Sequence, residues 1–229
     1  MLFLCGDTHG TFEIDKILND EFLNSYPFTR DDVLVVLGDF GVFWFDEPDE
    51  NELYLLDIFE KLPFTLCFID GNHENFNRLD KFETINKFGG KVGKAGENCY
   101  WLKRGEIYEI CGKKLFTFGG AFSIDRVYRV LNKSWWLREI PSQAEMDYAL
   151  ENLKNSPDID IVLTHTAPDF IVKSMGFFGV VDETTLFLEK VFYKIEPKEW
   201  YFGHFHLDKK LSYQNCKFRV LYNEIIRLS

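Results

Sequence analysis

The histidines are the residues whose spacing most directly indicates chemistry in this chain. Two of the five, His204 and His206, stand one residue apart in the stretch YFGHFHLD, directly after an aromatic run. Side chains at i and i+2 of an extended chain point to one face, so both imidazoles would reach toward the same place. Such a pair can hold a metal ion, although an isolated His-x-His is more often a hydrogen-bonded strand end.

The other three histidines also follow apolar runs, and the same positions carry carboxylate and amide groups. The stretches are FLCGDTHG with Asp7 and His9, VVLGDFG with Asp39, FIDGNHE with Asn72 and His73, and VLTHTAP with His165. Ligands of α/β sheets bind beyond the carboxyl ends of the strands, so these ends should converge. Because no histidine is left for an ordinary surface position, we interpret the His204 and His206 pair as metal ligands.

The donor set restricts the kind of metal. Imidazole nitrogen with carboxylate and amide oxygen suits Mn²⁺, Fe or Zn²⁺, whereas structural zinc prefers thiolates. The five cysteines are scattered and include no Cys-x-x-Cys pair. We therefore expect free thiols in a reducing compartment rather than disulfides or a zinc knuckle.

Short apolar runs, each ended by glycine or a polar cluster, predict the strands that position these residues. They are Met1–Cys5, Val33–Leu37, Phe64–Ile69, Ile159–Leu163 and Trp200–Phe202. Helix-like segments lie between them at Phe12–Leu23, Asp49–Lys61, Ser142–Leu153 and Glu183–Phe192. In PSQAE, Glu145 follows Ser142 by three residues, which is typical of a capping box at a helix start.

Two other regions indicate antiparallel strands. The middle of the chain predicts strands at Cys99–Leu102, Gly105–Ile110 and Lys114–Phe118, and the C-terminal part predicts a hairpin of Lys209–Tyr213 with Phe218–Tyr222. Strands alternating with helices, together with hairpins, predict an α/β fold with layered or sandwich architecture. A chain of 229 residues suits one domain spanning residues 1–229.

Composition limits the partners. The formal charge of −11 disfavours a broad footprint on long nucleic acids, which needs clustered lysine and arginine. It does not exclude a phosphate substrate, because metal ions can supply local positive charge. No stretch reaches the ~18 apolar residues of a membrane span, and MLFLC is too short for a signal peptide. We expect a cytoplasmic protein.

Taken in order, these blocks resemble the calcineurin-like metallophosphoesterase family across almost the whole chain. The blocks are Asp7-x-His9, Gly38-Asp39, Gly71-Asn72-His73-Glu74, His165 and Gly203-His204-x-His206. The resemblance implies a β-sandwich of mixed sheets flanked by α-helices, with a dinuclear metal site at the strand ends. By that resemblance one metal is held by Asp7, His9 and His206, and the other by Asn72, His165 and His204. Asp39 would bridge the two metals, and His73 would lie beside the scissile phosphate without binding metal.

The expected activity is hydrolysis of phosphate esters by a hydroxide activated between two divalent ions ~3.5–4 Å apart. Asp39 suits the bridge because a carboxylate has two oxygens and one negative charge to share. His73 would protonate or orient the departing oxygen, which is typically worth about 10²–10⁴-fold. We expect a phosphomonoesterase or small-diester phosphodiesterase with Mn²⁺ as the first choice and Fe, Zn²⁺ or Ni²⁺ as alternatives.

Other functions are compatible with parts of the pattern. GDTHG and GNHE are similar to serine/threonine protein phosphatases, but those enzymes continue the second block with a phosphate-clamping arginine where this chain has GDFGVFWFDE. A protein phosphatase, a nuclease and a non-catalytic metal-binding scaffold remain alternatives. HFHLD also matches the start of a metallo-β-lactamase-like site, but Lys209 replaces its next histidine. An amidohydrolase barrel would need about 250 residues and an early His-x-His.

A final candidate is the stretch FTFGGAFSIDRVYR, which offers Ser123, Asp125, Arg126 and Arg129 after a pair of glycines. We predict a lid over the metals in which Arg126 grips phosphate with its two-pronged guanidinium. The alternative is an ordinary loop whose charges form solvated pairs.

Overall fold

Strands and helices alternate along much of the chain in the computed structural model, which describes residues 1–156, 158–178 and 182–228. The strands are β1 (Leu2–Cys5), β2 (Val33–Val36), β3 (Thr65–Phe68), β4 (Glu83–Lys87), β5 (Gly90–Lys94), β6 (Cys99–Leu102), β7 (Ile107–Ile110), β8 (Lys113–Phe118), β9 (Ile161–Thr164), β10 (Glu199–Phe202), β11 (Lys209–Tyr213), β12 (Cys216–Val220) and β13 (Ile226–Leu228). The helices are α1 (Asp15–Leu18), α2 (Asp20–Leu23), α3 (Glu50–Lys61), α4 (Phe76–Leu79), α5 (Gln143–Asn155), α6 (Asp169–Ser174) and α7 (Glu183–Ile195).

The strands form two mixed sheets. The first has seven strands in the order β13-β1-β2-β3-β6-β5-β4, and the second has six in the order β11-β12-β10-β9-β8-β7. The centre of the first sheet is parallel from β1 through β2 and β3 to β6, and the centre of the second is parallel from β8 through β9 and β10 to β12. The carboxyl ends of β1, β2 and β3 therefore lie along one edge, as do those of β9 and β10 in the second sheet.

The two sheets face each other across a shared core. Leu4 and Val35 from the first sheet and Leu115 and Leu163 from the second belong to one buried cluster. Alternate residues of the same strands point outward, where the first sheet packs against α3 and the second against α5 and α7. Alternation along a strand sends successive side chains to opposite faces, so strands covered on both faces are apolar throughout. The result is the predicted fold class, a β-sandwich flanked by helices.

The structure confirms most predicted elements, corrects two and adds the β4–β5 hairpin among others. The capping box of Ser142 and Glu145 is present at the start of α5. The predicted helix Phe12–Leu23 is instead two short helices, because Asn19 adopts an extended conformation and its side chain caps α2. The middle strands do not form one antiparallel unit, since β6 belongs to the first sheet and the β7–β8 hairpin to the second. The hairpin of β4 and β5 was not predicted, because its strands, Glu83–Lys87 and Gly90–Lys94, are rich in charged residues and glycine and lack an apolar run.

Two expectations from composition can be compared with the structure. All five cysteines are free, and four are buried; the exception is Cys111, which is exposed at the turn between β7 and β8. Among the described residues, no helix is both long and apolar enough to cross a membrane.

Candidate metal centre

The carboxyl ends of the central strands bring eight polar side chains together, which we call the strand-end cluster. Its members are Asp7, His9, Asp39, Asn72, His73, His165, His204 and His206. Three groups of side chains have potential ligand atoms that all lie within 4.8 Å of one another. The first is Asp7 with His9 and His206, the second is Asp39 with His165 and His204, and the third is His9 with Asp39 and His73. The first two groups correspond to the two metal sets expected from the sequence. The third adds His73, so proximity alone does not separate it from the other histidines.

Asp39 lies between the two sets. Its Oδ1 is 3.3 Å from Nε2 of His165, and its Oδ2 is 3.4 Å from Nε2 of His9. The backbone N–H of His73 donates a hydrogen bond of 2.7 Å to Oδ1, which fixes the carboxylate. One side chain therefore presents an oxygen to each set, and this is the geometry a bridging carboxylate needs.

The turns that carry the cluster are strained and joined to one another. His9, Asp39, His204 and His206 have positive φ angles of 45°, 46°, 69° and 50°. Non-glycine residues rarely adopt such angles, and those that do concentrate at functional sites where the surroundings enforce them. The carbonyl oxygen of Asp39 accepts hydrogen bonds from the backbone N–H groups of Thr8 and His9, so the turns after β1 and β2 hold each other.

Two glycines are required by the close approach of neighbouring turns. A Cβ atom at Gly71 would lie 2.0 Å from Oδ1 of Asp39, and one at Gly203 would lie 2.3 Å from Oδ1 of Asp7. Both distances are far inside van der Waals contact. The glycines before Asn72 and His204 thus make room for a carboxylate delivered by a different strand, which explains the Gly-Asn and Gly-His pairs.

The hydrogen-bonding state of Asp7 tests whether metal ions fit this cluster. Its Oδ1 accepts a hydrogen bond of 3.0 Å from the backbone N–H of His204, but its buried Oδ2 has no hydrogen-bond partner. Nε2 of His206 lies only 3.2 Å from that oxygen without meeting hydrogen-bond geometry. A buried carboxylate oxygen without a hydrogen-bond partner costs free energy. A cation bound between this oxygen and the nearby imidazole nitrogens would remove that cost. The residues present therefore fit divalent metal ions.

Hydrogen-bond acceptors outside the strand-end cluster determine which nitrogen of each imidazole faces the cluster. Nδ1 of His165 is 2.8 Å from the carbonyl oxygen of Leu37, which can only accept, so Nδ1 carries a proton and Nε2 is the nitrogen that faces the cluster. Nδ1 of His9 is 3.0 Å from Oε2 of Glu13, whose Oε1 accepts a hydrogen bond of 3.0 Å from the hydroxyl of Tyr222. Glu13 and Tyr222 were not singled out from the sequence, because only the fold brings them to His9.

Asn72 is oriented from outside the cluster in the same way. Its Oδ1 is 3.0 Å from Nε2 of His165, and its Nδ2 donates a hydrogen bond of 3.0 Å to Oγ of Ser123. The Ser123 hydroxyl in turn donates to Oε2 of the fully buried Glu139 at 2.7 Å. This chain of bonds turns the amide oxygen, rather than the nitrogen, toward the cluster.

Burial and charge strongly shift the pKa values inside the cluster. Burial would lower the pKa of His165, but the adjacent Asp39 carboxylate raises it to about 9. Burial, and then the positive charge of His165, lowers the pKa of His204 to about 4. Burial opposes ionisation of Asp39, yet its histidine neighbours, His165 first, hold its pKa well below the ordinary value. The negative charge of Asp39 is thus balanced by nearby cations, which is the electrostatic role metal ions would fill.

Comparison with known proteins places the chain in a family. The family model for calcineurin-like phosphoesterases matches residues 2–208. The chain belongs to this family. No curated protein matches the sequence significantly. Members of the family hydrolyse phosphate esters. The imidazole, carboxylate and amide groups of the strand-end cluster are compatible with this reaction class.

Several solved structures are similar to this chain at low sequence identity. The protein TT1561 of Thermus thermophilus has a TM-score of 0.55 and 11% identity, covering 97% of this chain and 89% of that one. GAP50, the anchor in the inner membrane complex of Plasmodium, has a TM-score of 0.53 and 12% identity over 96% of this chain and 70% of that one. Phosphopantetheinyl hydrolase from Mycobacterium tuberculosis has a TM-score of 0.43 and 14% identity, covering 97% of this chain and 89% of that one. At these identities the likeness to TT1561 and to GAP50 concerns the fold alone.

The arginine nearest the calcineurin-like centre is not the one chosen from the sequence. The Arg126 guanidinium lies 4.0 Å from the ring centre of Phe122 and 5.7 Å from that of Trp135. Arg129 instead reaches His73, with its Nη2 2.8 Å from Nε2 of the imidazole. Arg126 begins the 3₁₀ turn Arg126–Tyr128, whereas Arg129 follows it in an extended conformation. The sequence does not reveal which of the two faces inward.

Two cavities open on either side of the strand-end cluster. One of about 570 Å³ is lined by His9 and by aromatic side chains, and one of about 690 Å³ is lined by Asn72, Arg129 and His204. His73 and His206 line both. A substrate whose phosphorus lies at the cluster can therefore extend to either side.

Proposed function

We propose that this protein hydrolyses phosphate monoesters or small diesters and that two divalent metal ions occupy the strand-end cluster. The position of Asp39, with one carboxylate oxygen toward each ligand set, carries this proposal. A single-metal site would have no use for a second set of imidazoles around the same carboxylate. Family membership supports the reaction class.

The residues that would hold the ions follow from the two sets. Asp7, His9 and His206 would hold one ion, and Asn72, His165 and His204 the other, with Asp39 shared. When bound, two such ions polarise the phosphate and lower the pKa of a water molecule. Nitrogen and oxygen donors favour Mn²⁺, Fe, Zn²⁺ or Ni²⁺, and we expect Mn²⁺ first.

His73 would act on the departing oxygen of the substrate. Its backbone N–H is anchored to Asp39, and its ring lies edge-on to His9 with the ring centres 5.4 Å apart. It lines both cavities, so a bound ester would contact it whichever way the alcohol points. Burial lowers its pKa, which favours the neutral imidazole. A neutral ring can hydrogen-bond to the leaving oxygen and thereby orient it.

Arg129 is the best-placed residue to bind the non-bridging phosphate oxygens. Its side chain is 14% exposed and sits between the imidazole of His73 and the Asp125 carboxylate, which lies 2.7 Å from Nη2. Guanidinium groups bind phosphate through paired hydrogen bonds. Arg129 would thereby serve the function that the sequence interpretation gave to Arg126.

The test is an assay of purified protein stripped of metal and reloaded with one divalent ion at a time. Phenyl phosphate and diphenyl phosphate separate monoesterase from diesterase activity at matched leaving groups. We expect turnover with Mn²⁺, about two equivalents of bound metal, and loss of activity with a chelator. An absence of turnover of either ester with every metal, in protein that binds two equivalents, would contradict the proposal and favour a metal-binding scaffold.

A further inference from the structure

The cavity on the His9 side of the cluster, which we call the aromatic cavity, has a distinct lining. His9, His73 and His206 form the side next to the cluster, and Phe12, Trp44, Phe45 and Tyr222 contribute aromatic rings. A volume of about 570 Å³ is within the range of pockets that bind small molecules. A group attached to a phosphate at the cluster would enter this cavity directly.

The aromatic rings are available for contact with a ligand. Phe12 is 84% exposed and Phe45 is 55% exposed, although both line the same cavity. Tyr222 stacks on His206 with ring centres 4.7 Å apart and an interplanar angle of 10°. Trp44 lies nearly parallel to His73, at 6.3 Å and 25°. Flat rings fixed against the cluster, together with exposed rings in the same cavity lining, suit a planar ligand, because aromatic rings prefer offset-stacked or edge-on contact.

The charges of the aromatic cavity disfavour a second phosphate there. Among the described residues that line it there is no lysine or arginine, whereas Glu13, Asp49 and the exposed Asn51 are present. Glu52 also lines the cavity, but its carboxylate is paired with Arg78 at 2.7 Å. Glu13 already contacts His9 and Tyr222, and Oδ1 of Asp49 accepts a hydrogen bond from the backbone N–H of Glu52. Oδ2 of Asp49 and the amide oxygen of Asn51 can accept hydrogen bonds from a ligand, which favours a ring that carries N–H donors. The cavity on the opposite side differs, because it contains Arg129.

We propose that the aromatic cavity selects substrates whose alcohol carries a planar aromatic group of nucleobase size with amino hydrogens. This inference rests on the proposed phosphoesterase function and adds the substrate class to it. The phosphate would lie at the strand-end cluster, and the aromatic group would stack between Phe12 or Phe45 and the rings beside the cluster.

The experiment compares two substrates that share a primary alcohol as the leaving group. Adenosine 5′-monophosphate carries a base, and ribose 5-phosphate does not. In the Mn²⁺-loaded protein we expect kcat/KM to be at least about tenfold higher for the nucleotide, since stacking of a base on an aromatic side chain is typically worth this much. The Phe12→Ala, Phe45→Ala double variant should remove the difference, because kcat/KM should fall about tenfold more for the nucleotide than for ribose 5-phosphate. Tyr54→Ala, which removes an exposed ring of α3 outside the cavity, is the matched control.

A second measurement does not depend on catalysis. Adenosine should quench the tryptophan fluorescence of the metal-loaded protein, and the effect should be lost in Trp44→Phe and weakened at least about tenfold in the Phe12 and Phe45 double variant. Equal turnover of both esters, or adenosine binding that the double variant leaves intact, would overturn the substrate class while phosphoesterase activity stood. Adenosine binding with no hydrolysis of any ester would support the cavity as a binding site and refute the proposed function instead. Because both phenylalanines are exposed, their truncation should leave folding intact, which circular dichroism would verify.

Discussion

The strand-end cluster and the segment formed by residues 121–141, both beside the same cavity, are built in opposite ways. The cluster sits on short turns in which strained residues hold one another through backbone hydrogen bonds. The 121–141 segment has only two short 3₁₀ turns and one isolated bridge as regular structure. Its side chains at Ile124, Val127 and Tyr128 are 77%, 78% and 90% exposed.

The segment is nevertheless attached to the cluster at defined points. Ser123 and Glu139 are buried and reach Asn72 through hydrogen bonds, and Trp136 packs edge-on against Trp44 with the ring centres 5.4 Å apart. Between these anchors, Arg129 contacts His73. The comparison indicates that the rigid turns would perform the chemistry, while the segment would orient one ligand and supply a phosphate contact.

The largest effect should come from breaking the cluster itself. Asp39→Asn keeps the size of the side chain but removes the charge that both ligand sets share, so we expect activity below detection and less than two equivalents of bound metal. Elemental analysis together with turnover of phenyl phosphate measures both. Asp31→Asn changes an exposed carboxylate next to β2 and should behave like the unchanged protein. Full activity in Asp39→Asn would rule out a bridging role.

His73→Ala should lower turnover by about 10²–10⁴-fold, the usual contribution of a group that assists proton transfer or leaving. Bound metal should stay at two equivalents, because His73 is outside both proposed ligand sets. Loss of one equivalent would instead assign His73 as a ligand, in keeping with its proximity to His9 and Asp39.

The two arginines of the 121–141 segment provide a direct test of how it contributes. Arg129→Ala should reduce kcat/KM by about 10–100-fold, mainly through KM, because hydrogen bonds to charged groups are typically worth about 1.5–3 kcal/mol. Arg126→Ala is the matched control, three residues away and stacked on Phe122. A larger loss in Arg126→Ala than in Arg129→Ala would restore the role that the sequence interpretation gave to Arg126.

The smallest effect should come from Ser123→Ala, which removes the hydrogen bond to the Asn72 amide and replaces no side chain of the cluster. Outer partners of metal ligands typically change metal affinity by about 10–100-fold, and we expect the lower end for one of the two ions. Ser134→Ala removes a hydroxyl of the same segment that accepts a hydrogen bond from the backbone of Val130. Metal titration of both variants would show whether the segment acts on the cluster through Ser123, and equal affinities would mean that it does not.

The central strands were predictable because both faces of each strand are buried, which requires an uninterrupted apolar sequence. Residues such as Val33–Val36 pack against the facing sheet and against helices, so they are apolar throughout. The segment Phe12–Leu23 was predicted as one helix because its periodic apolar pattern gives no sign of the cap that Asn19 forms. That cap begins a second, separate helix. The β4–β5 hairpin was missed because its strands are held by backbone pairing at a sheet edge, which needs few apolar side chains.

The sequence by itself determined the family, the sandwich fold and the residues that converge at the strand ends. It could do so because a parallel strand delivers its next residues to a predictable edge, whatever surrounds them. Only the tertiary structure decided that Arg129 rather than Arg126 reaches His73, that Glu13 and Ser123 orient two of the proposed ligands, and that one cavity is aromatic. These contacts join irregular segments that are distant along the chain, and no periodic pattern in the sequence records how such segments meet.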